Sequence, residues 1–299
     1  DTDLTELGQA VILPSSFTGG PRYMHERTQD AMTYVRHYGR PDLFITFTCN
    51  PKWPDITEIL LPRQKPHDRH DLISRVFHLK IRKMIDLLTK SNIFGCTNCY
   101  MYTIEWQKRG IPHAHILLWI KDRIKPALID EVIRAEIPDP QTDPALHKIV
   151  KSTMIHGPCG PHNINSPCMI NRICTKKYPR PFISETQTGE DGYPQYRRRA
   201  PADGGHTINI KGVDIDNRWV VPYSPVLSRF FNAHINVEFC TSVKSIKYIC
   251  KYVNKGSDQA VFTIQNENDE VSRYEEIYVL QAEYACQVLG ENLNVGDLH

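Results

Sequence analysis

Apolar residues recur along this chain with two periods, and the alternation between them predicts an interleaved set of helices and strands. A helix is expected over 25–38, stopped by Gly39 and Pro41. Leu43 to Cys49 (LFITFTC) is β-rich and ends at Asn50-Pro51, the pattern of a strand. From Asp71 to Leu88, Leu72, Val76, Leu79, Met84 and Leu87 fall at helical spacing behind Asp71 as the expected N-cap. Tyr100 to Gln107 and His113 to Ile120 read as a β-hairpin closed by the five-residue loop Lys108 to Pro112.

Two smaller helices are expected near 126–136 and 144–155, and strands at 206–213, 218–223 and 233–240. A helix over Ser242 to Asn254 follows, with Gly256 placed to end it, then a loop or weak hairpin over 257–273 and a final helix over 274–289. Between 156 and 204 the composition shifts to Pro, Gly, Cys, Asn and Arg, which marks an irregular lobe inserted in the fold. Strands and helices interspersed with a tight hairpin predict an α+β class with a central, largely antiparallel sheet flanked by helices. The expected organisation is a lead-in and helix over 1–40, the first part of the main domain over 41–155, the lobe over 156–204, the second part over 205–256 and a C-terminal extension over 257–299.

Composition adds little to the fold but narrows the function. The chain has 299 residues, 40% of them hydrophobic, enough for one large core or two modest ones. No apolar run approaches the ~20 residues of a membrane span. The start, Asp1-Thr2-Asp3, has neither a basic leader nor an initiator Met, so a piece of a longer polypeptide is expected. A formal charge of +2 does not diagnose a nucleic-acid partner, and local patches must decide. Candidates are Lys80 to Lys83, Lys176-Lys177 with Arg180, Arg197-Arg198-Arg199, and Lys244, Lys247, Lys251 and Lys255. Nine cysteines without a signal peptide favour reduced thiols or metal ligands over a disulfide framework.

Three constellations carry candidate chemistry. On a strand, His113 and His115 point to one face. With Gln107 opposite His113, Glu105 lies opposite His115, and all four side chains share that face. Two imidazoles with Glu105 or Gln107 as third ligand leave coordination positions for water and a phosphate oxygen. On the helix expected near 242–254, Val243, Ile246, Ile249, Cys250 and Val253 form the apolar stripe. Tyr248 and Tyr252, about 40° apart by helical arithmetic, lie off its centre among Lys244, Lys251 and Lys255. Phenols among ammonium groups suit nucleophilic attack on a phosphate. In the lobe, His156, Cys159, Cys168 and Cys174 offer four ligands for a structural zinc, with His162 able to replace His156. Cys96-Thr97-Asn98-Cys99 reads as structural. No G-x-x-x-x-G-K-[ST] run occurs, so the chain holds no P-loop helicase, and there is no G-x-S-x-G elbow.

These motifs, taken together and in order, resemble a known family. Leu43 to Pro51, Glu105 to His115, His156-Gly157-Pro158-Cys159-Gly160, Asp216 to Tyr223, His234 to Glu238 and Lys247 to Gly256 resemble the N-terminal, replication-initiator-like region of Helitron transposases, from about residue 13 to 256. The resemblance implies an HUH endonuclease fold. It implies His113 and His115 as ligands of Mg²⁺ or Mn²⁺ with Glu105 or Gln107, and Tyr248 and Tyr252 as nucleophiles; Lys251 and Lys255, beside them on the expected helix, are candidates to bind phosphate or assist the leaving group. It further implies single-stranded DNA at transposon ends as substrate, a rolling-circle route through a 5′-phosphotyrosine, nuclear localisation, and a helicase in cis or in trans. The alternatives are a decayed or co-opted DNA-binding module, and a metal-dependent hydrolase in which the tyrosines are structural.

Overall fold

The computed structural model describes residues 35–106, 110–189, 194–240 and 294–297, together with Arg22 and Thr33. Its centre is an antiparallel sheet in which β1 (Leu43–Thr48) lies between β10 (Ile235–Phe239) and β3 (Pro112–Ile120). Beyond β3 come β2 (Thr97–Trp106) and a short β11 (Asn294–Asp297). All pairings are antiparallel. The class is therefore α+β, an antiparallel sheet flanked by helices, as the sequence pattern predicts.

One face of the sheet carries the main core. Leu43, Ile45 and Phe47 of β1 align with Leu118, Ile116 and Ala114 of β3 and with Phe239, Val237 and Ile235 of β10. Against them lies α2 (His70–Thr89), burying Leu72, Ile73, Val76, Phe77, Ile81, Met84 and Leu88. The chain reaches it through α1 (Pro54–Thr57). Asp71 is not its N-cap. The cap position is Arg69, whose guanidinium makes two 2.8 Å hydrogen bonds to the Asp71 carboxylate, while Asp71 itself lies inside the first turn and also accepts from the backbone N–H of Leu72. Phe47 anchors an aromatic cluster with Trp53, Phe77 and Phe231 at 6.0, 5.3 and 5.0 Å between ring centroids. Trp53 Nε1 donates to Phe231 O at 2.7 Å, tying the end of β1 to α5 (Pro225–Phe231).

The opposite face changes character along the strands. At one end Cys99, Met101, Leu117 and Trp119 pack beneath Val35 and Tyr38, in the described end of the helix expected over 25–38. Gly39 stops that helix at φ +76°, a left-handed conformation that glycine adopts at low cost. At the other end the same face carries threonines, histidines and acids. Cys99 thus belongs to the core and Cys96 is exposed.

A second core lies beside the sheet. Leu146, Val150 and Met154 of α4 (Pro144–Thr153) and its C-cap meet Cys159, Cys174, Ile208, Ile215, Trp219, Val220 and Tyr223. Asp143 caps α4 by accepting from Leu146 N. Among its described residues the lobe holds only two-residue strands: β4 (Met169–Ile170) with β5 (Ile173–Cys174), and β6 (Gln187–Thr188) with β7 (Pro194–Gln195). A further hairpin pairs β8 (Ile208–Ile210) with β9 (Val213–Ile215).

Three predicted elements differ, and one of them, the single strand expected over 206–213, is the β8–β9 hairpin, because Lys211 and Gly212 at φ 50° and 83° turn the chain back. The helix expected over 126–136 is a 3₁₀ turn, Pro126–Leu128, followed by the single turn α3 (Ile129–Val132). It ends because Ile133 turns extended and Arg134 bridges to Tyr223 instead of continuing the helix. The strand expected over 218–223 begins as a 3₁₀ turn, Asn217–Trp219, because the Asp216 side chain accepts from Arg218 N and caps it. The remaining residues make isolated bridges, Ile155 with Val220 and Arg134 with Tyr223.

The Arg197-Arg198-Arg199 patch also has another role. Arg198 is buried and donates to the carbonyls of Ala135, Asn217 and Val220 at 3.2, 2.6 and 2.7 Å, while Arg197 and Arg199 pair with Glu136. Arg198 is thereby committed to the protein interior, where it ties Ala135 of the main core to Val220 of the second, while Arg197 and Arg199 reach Glu136 from the surface. The helix expected over 242–254, with Gly256, and the elements expected over 257–289 lie outside the described residues. No helix among the described residues is long and apolar enough to cross a membrane.

Candidate metal centres

Strand register builds the first centre. Thr48 of β1 pairs with His113, and Thr46 with His115. On the other side of β3, Glu105 pairs with His113 and Thr103 with His115. The expected register placed Glu105 opposite His115; it is displaced by two residues. Pro112, which has no N–H to give the ladder, pairs with Trp106 as the first residue of β3, so the connection runs over 107–111. A shift of two preserves parity, so Glu105, His113 and His115 still share one face.

The histidines are held by hydroxyls. Thr48 Oγ1 lies 3.0 Å from His113 Nδ1 and Thr46 Oγ1 lies 3.2 Å from His115 Nδ1. Where Nδ1–H donates to the hydroxyl, the lone pair is left on Nε2, the arrangement in which metal-ligating imidazoles are oriented by an outer partner. His115 Nε2 is 3.3 Å from Glu105 Oε2, with its ring stacked on Phe44 at 5.7 Å and 12°. His115 is buried, and burial, followed by the like charges of His115 and His234, lowers His113 to about 4 against the smaller opposing pull of Glu105. His113 is therefore neutral at pH 7, as a ligand must be.

A third histidine arrives from β10. Thr48 N donates to His234 O at 2.9 Å, which continues the β1–β10 register and sets His234 across from Thr48 on the histidine face. Its Nδ1–H donates to Thr153 O at 2.7 Å, and burial lowers its pKa. Along the same strand Asn236 faces Thr46, and Glu238 accepts from Tyr196 Oη at 2.8 Å. His234, Thr46, Thr48, Asn236 and Glu238 were not singled out as site residues from the sequence. Strand parity on Leu43–Cys49 and on His234–Glu238 is the signal that places them on this face. Of the other residues expected here, Gln107, Tyr248, Lys251, Tyr252 and Lys255 lie outside the described residues.

The second centre is in the lobe. His156, Cys159, Cys168 and Cys174 offer four ligand atoms that all lie within 4.8 Å of one another. Tetrahedral zinc with sulfur ligands sets its donors about 3.8 Å apart, so the set fits that ion closely. Among the described residues it is the group of His, Cys and carboxylate side chains that converges this way. His156, and not His162, is the imidazole: its Nε2 is 3.4 Å from Cys174 Sγ, while His162 stands edge-on to Trp219. His156 stacks on Tyr178 at 4.2 Å, and its backbone N–H donates to Trp219 O at 2.9 Å, so its orientation is fixed from two sides. Burial opposes ionisation of Cys174, yet the backbone N–H groups of Tyr178 and Lys176 outweigh it and lower the thiol. These residues can hold a metal such as zinc.

No curated protein matches the chain. Residues 1–118, which include β1, β2 and both histidines of the first centre, match the family model described as the Helitron helicase-like domain at N-terminus, and this supports a Helitron transposase N-terminal region.

Proposed function

We propose that the protein is a single-stranded DNA endonuclease and strand transferase of a rolling-circle, Helitron-type transposon, with an HUH-type centre. The observation that carries this reading is the pair of imidazoles on one sheet face, each with Nδ1 engaged by a β1 threonine and one facing Glu105. The donor set of two imidazoles and a carboxylate suits a divalent cation, Mg²⁺ or Mn²⁺, which supplies Lewis-acid polarisation of the scissile phosphate when bound. Glu105 or Gln107 is the third ligand. The Thr46 and Thr48 hydroxyls, donors or acceptors by rotation, keep each Nδ1 partnered in either imidazole tautomer.

In this reading Tyr248 or Tyr252 attacks phosphorus through its phenolic oxygen, the bond to the 3′ oxygen breaks, and that oxygen takes up a proton. The products are a 5′-phosphotyrosine and a free 3′-OH, and reversal by another 3′-OH joins strands without ATP. Lys251 and Lys255 bind phosphate or assist the leaving group. The family match supports the coarser statement, a Helitron transposase-related role with nuclease or transposase activity. A helicase in cis or in trans and a nuclear location complete the proposal.

The test is incubation of the protein with labelled single-stranded oligonucleotides and Mn²⁺, followed by a denaturing gel. A covalent adduct that disappears in the Tyr248→Phe/Tyr252→Phe double variant is expected. Cleavage without an adduct points to a hydrolase with structural tyrosines, and binding alone to a non-catalytic module; either overturns the proposal.

A further inference from the structure

Between residues 156 and 183 the chain carries no Asp or Glu, and it carries Arg172, Lys176, Lys177 and Arg180. The strands β4 and β5 form a hairpin at the outer end of this segment, with Met169 paired to Cys174 and Ile170 to Ile173. Asn171 and Arg172 turn it at φ 51° and 64°, the left-handed pair of a two-residue type I′ turn. Two-residue strands do not hold a hairpin by themselves. Here Cys168 precedes the hairpin and Cys174 ends it, so both legs are fastened at the four-ligand cluster, and Thr175 N and Oγ1 donate to Cys168 O at 2.8 and 3.0 Å.

What this rigid hairpin presents is unusual for a surface. Ile170 is 62% exposed and Ile173 is 71% exposed, and Ile164 nearby is 64% exposed. Arg172 in the turn and Lys176 and Lys177 just after the hairpin are exposed as well. Arg180 lies over the Tyr178 ring at 5.3 Å. Exposed β-branched side chains next to exposed cations, in a segment of the chain without an acid, fit a ligand that has apolar faces and a polyanionic backbone.

We propose that the metal-fastened β4–β5 hairpin is a single-stranded DNA-binding element, in which Ile170 and Ile173 pack against unstacked bases while Arg172, Lys176 and Lys177 neutralise the flanking phosphates. Single-stranded rather than duplex DNA is favoured because base faces are covered in a duplex and only a single strand offers them to an apolar side chain. The fastening sets the hairpin before binding, so little ordering is required when DNA arrives. The inference takes single-stranded DNA from the proposed function but needs none of its cleavage chemistry.

The test uses the zinc-loaded full chain, without Mg²⁺ or Mn²⁺, and the fluorescence anisotropy of a labelled single-stranded oligonucleotide and its duplex over a range of salt. The Ile170→Thr/Ile173→Thr variant keeps β-branched side chains and touches no core, so its zinc content should equal the parent's. It should weaken single-strand binding roughly tenfold, leave duplex binding unchanged and keep the salt slope. Lys176→Ala/Lys177→Ala should reduce the slope of log affinity against log salt by about 1.4, at about 0.7 per phosphate contact on a single strand. Photocrosslinking from halogenated pyrimidines should map to residues 170–173. Unchanged single-strand binding by the isoleucine variant, or crosslinks elsewhere only, overturns the proposal; unchanged DNA binding with a loss of self-association would assign the hairpin to protein contact instead. A parent chain that binds as described yet forms no adduct with Mn²⁺ rejects the endonuclease reading and leaves this one standing.

Discussion

His115 Nε2 meets Glu105 Oε2 at 3.3 Å although the residue opposite Glu105 in the ladder is His113. The carboxylate therefore reaches diagonally across the β2–β3 pair, a distance that long side chains span on one sheet face. One acid is thereby placed against both imidazoles, beside His115 by contact and beside His113 by register.

The threonines of β1 should matter as much as they would at any site where an outer partner orients a ligand. Thr48→Val, which keeps the volume and the branched shape but removes the hydroxyl at His113 Nδ1, is expected to lower Mn²⁺ affinity about 10- to 100-fold. Thermal stability should change little. Titration of Mn²⁺ against activity and against melting temperature separates the two; an unchanged metal midpoint would remove the threonine from the site.

Removal of the lobe metal should be felt beyond the lobe. Cys159 and Cys174 pack in the second core with the buried Trp219 and Val220. Chelation, or Cys168→Ser, is expected to release one zinc per chain, lower the melting temperature and shift tryptophan emission to the red. A zinc-free protein with native emission and unchanged melting would rule out a structural metal.

Arg198 should be among the most sensitive positions to truncation. It is buried and donates to three carbonyls, and burial lowers its pKa because the charged form is partly desolvated. Arg198→Ala leaves those carbonyls without their donor and is expected to cost about 3–5 kcal/mol, read by denaturant unfolding. Loss of stability below 1 kcal/mol would contradict the packing described here.

Glu238 predicts a pH dependence of known sign. Burial raises its pKa above the ordinary glutamate value, outweighing the hydrogen bonds from Tyr196 and Asn236 and the charges of Arg180 and Arg198. A folded value above the unfolded one means that the folded state holds the proton more tightly. The contribution to stability is full below about 4.5 and is lost as pH rises through the folded value. Glu238→Gln, permanently neutral and able to accept from Tyr196, should gain melting temperature over the parent as pH rises from 4.5 to 8. A difference that shrinks over that range would reverse the sign.

The sheet and its faces were readable from the chain because strand parity is a local property. Leu43–Cys49 alternates without a break, and the H-x-H pair must fall on one face whatever the register. The exact partner of Glu105 was not readable, since a slip of two residues leaves every side chain on its face and only the closure at Pro112 and Trp106 chooses between registers. The helix expected over 126–136 failed for a related reason: its sequence permits a helix, but the bridge between Arg134 and Tyr223 draws that stretch out.

By itself the sequence determined the α+β class, the common face of His113 and His115 and the four donors of the lobe, because periodicity and donor chemistry are written residue by residue. Only the tertiary structure decided that His156 rather than His162 joins the thiols, that β10 pairs with β1 and so brings His234 across from Thr48, and that Arg198 is an interior brace rather than part of a DNA-binding surface. Those outcomes depend on which residues distant in the chain come to lie within hydrogen-bond reach. Burial then sets their charge and their partners, and no spacing along the chain encodes it.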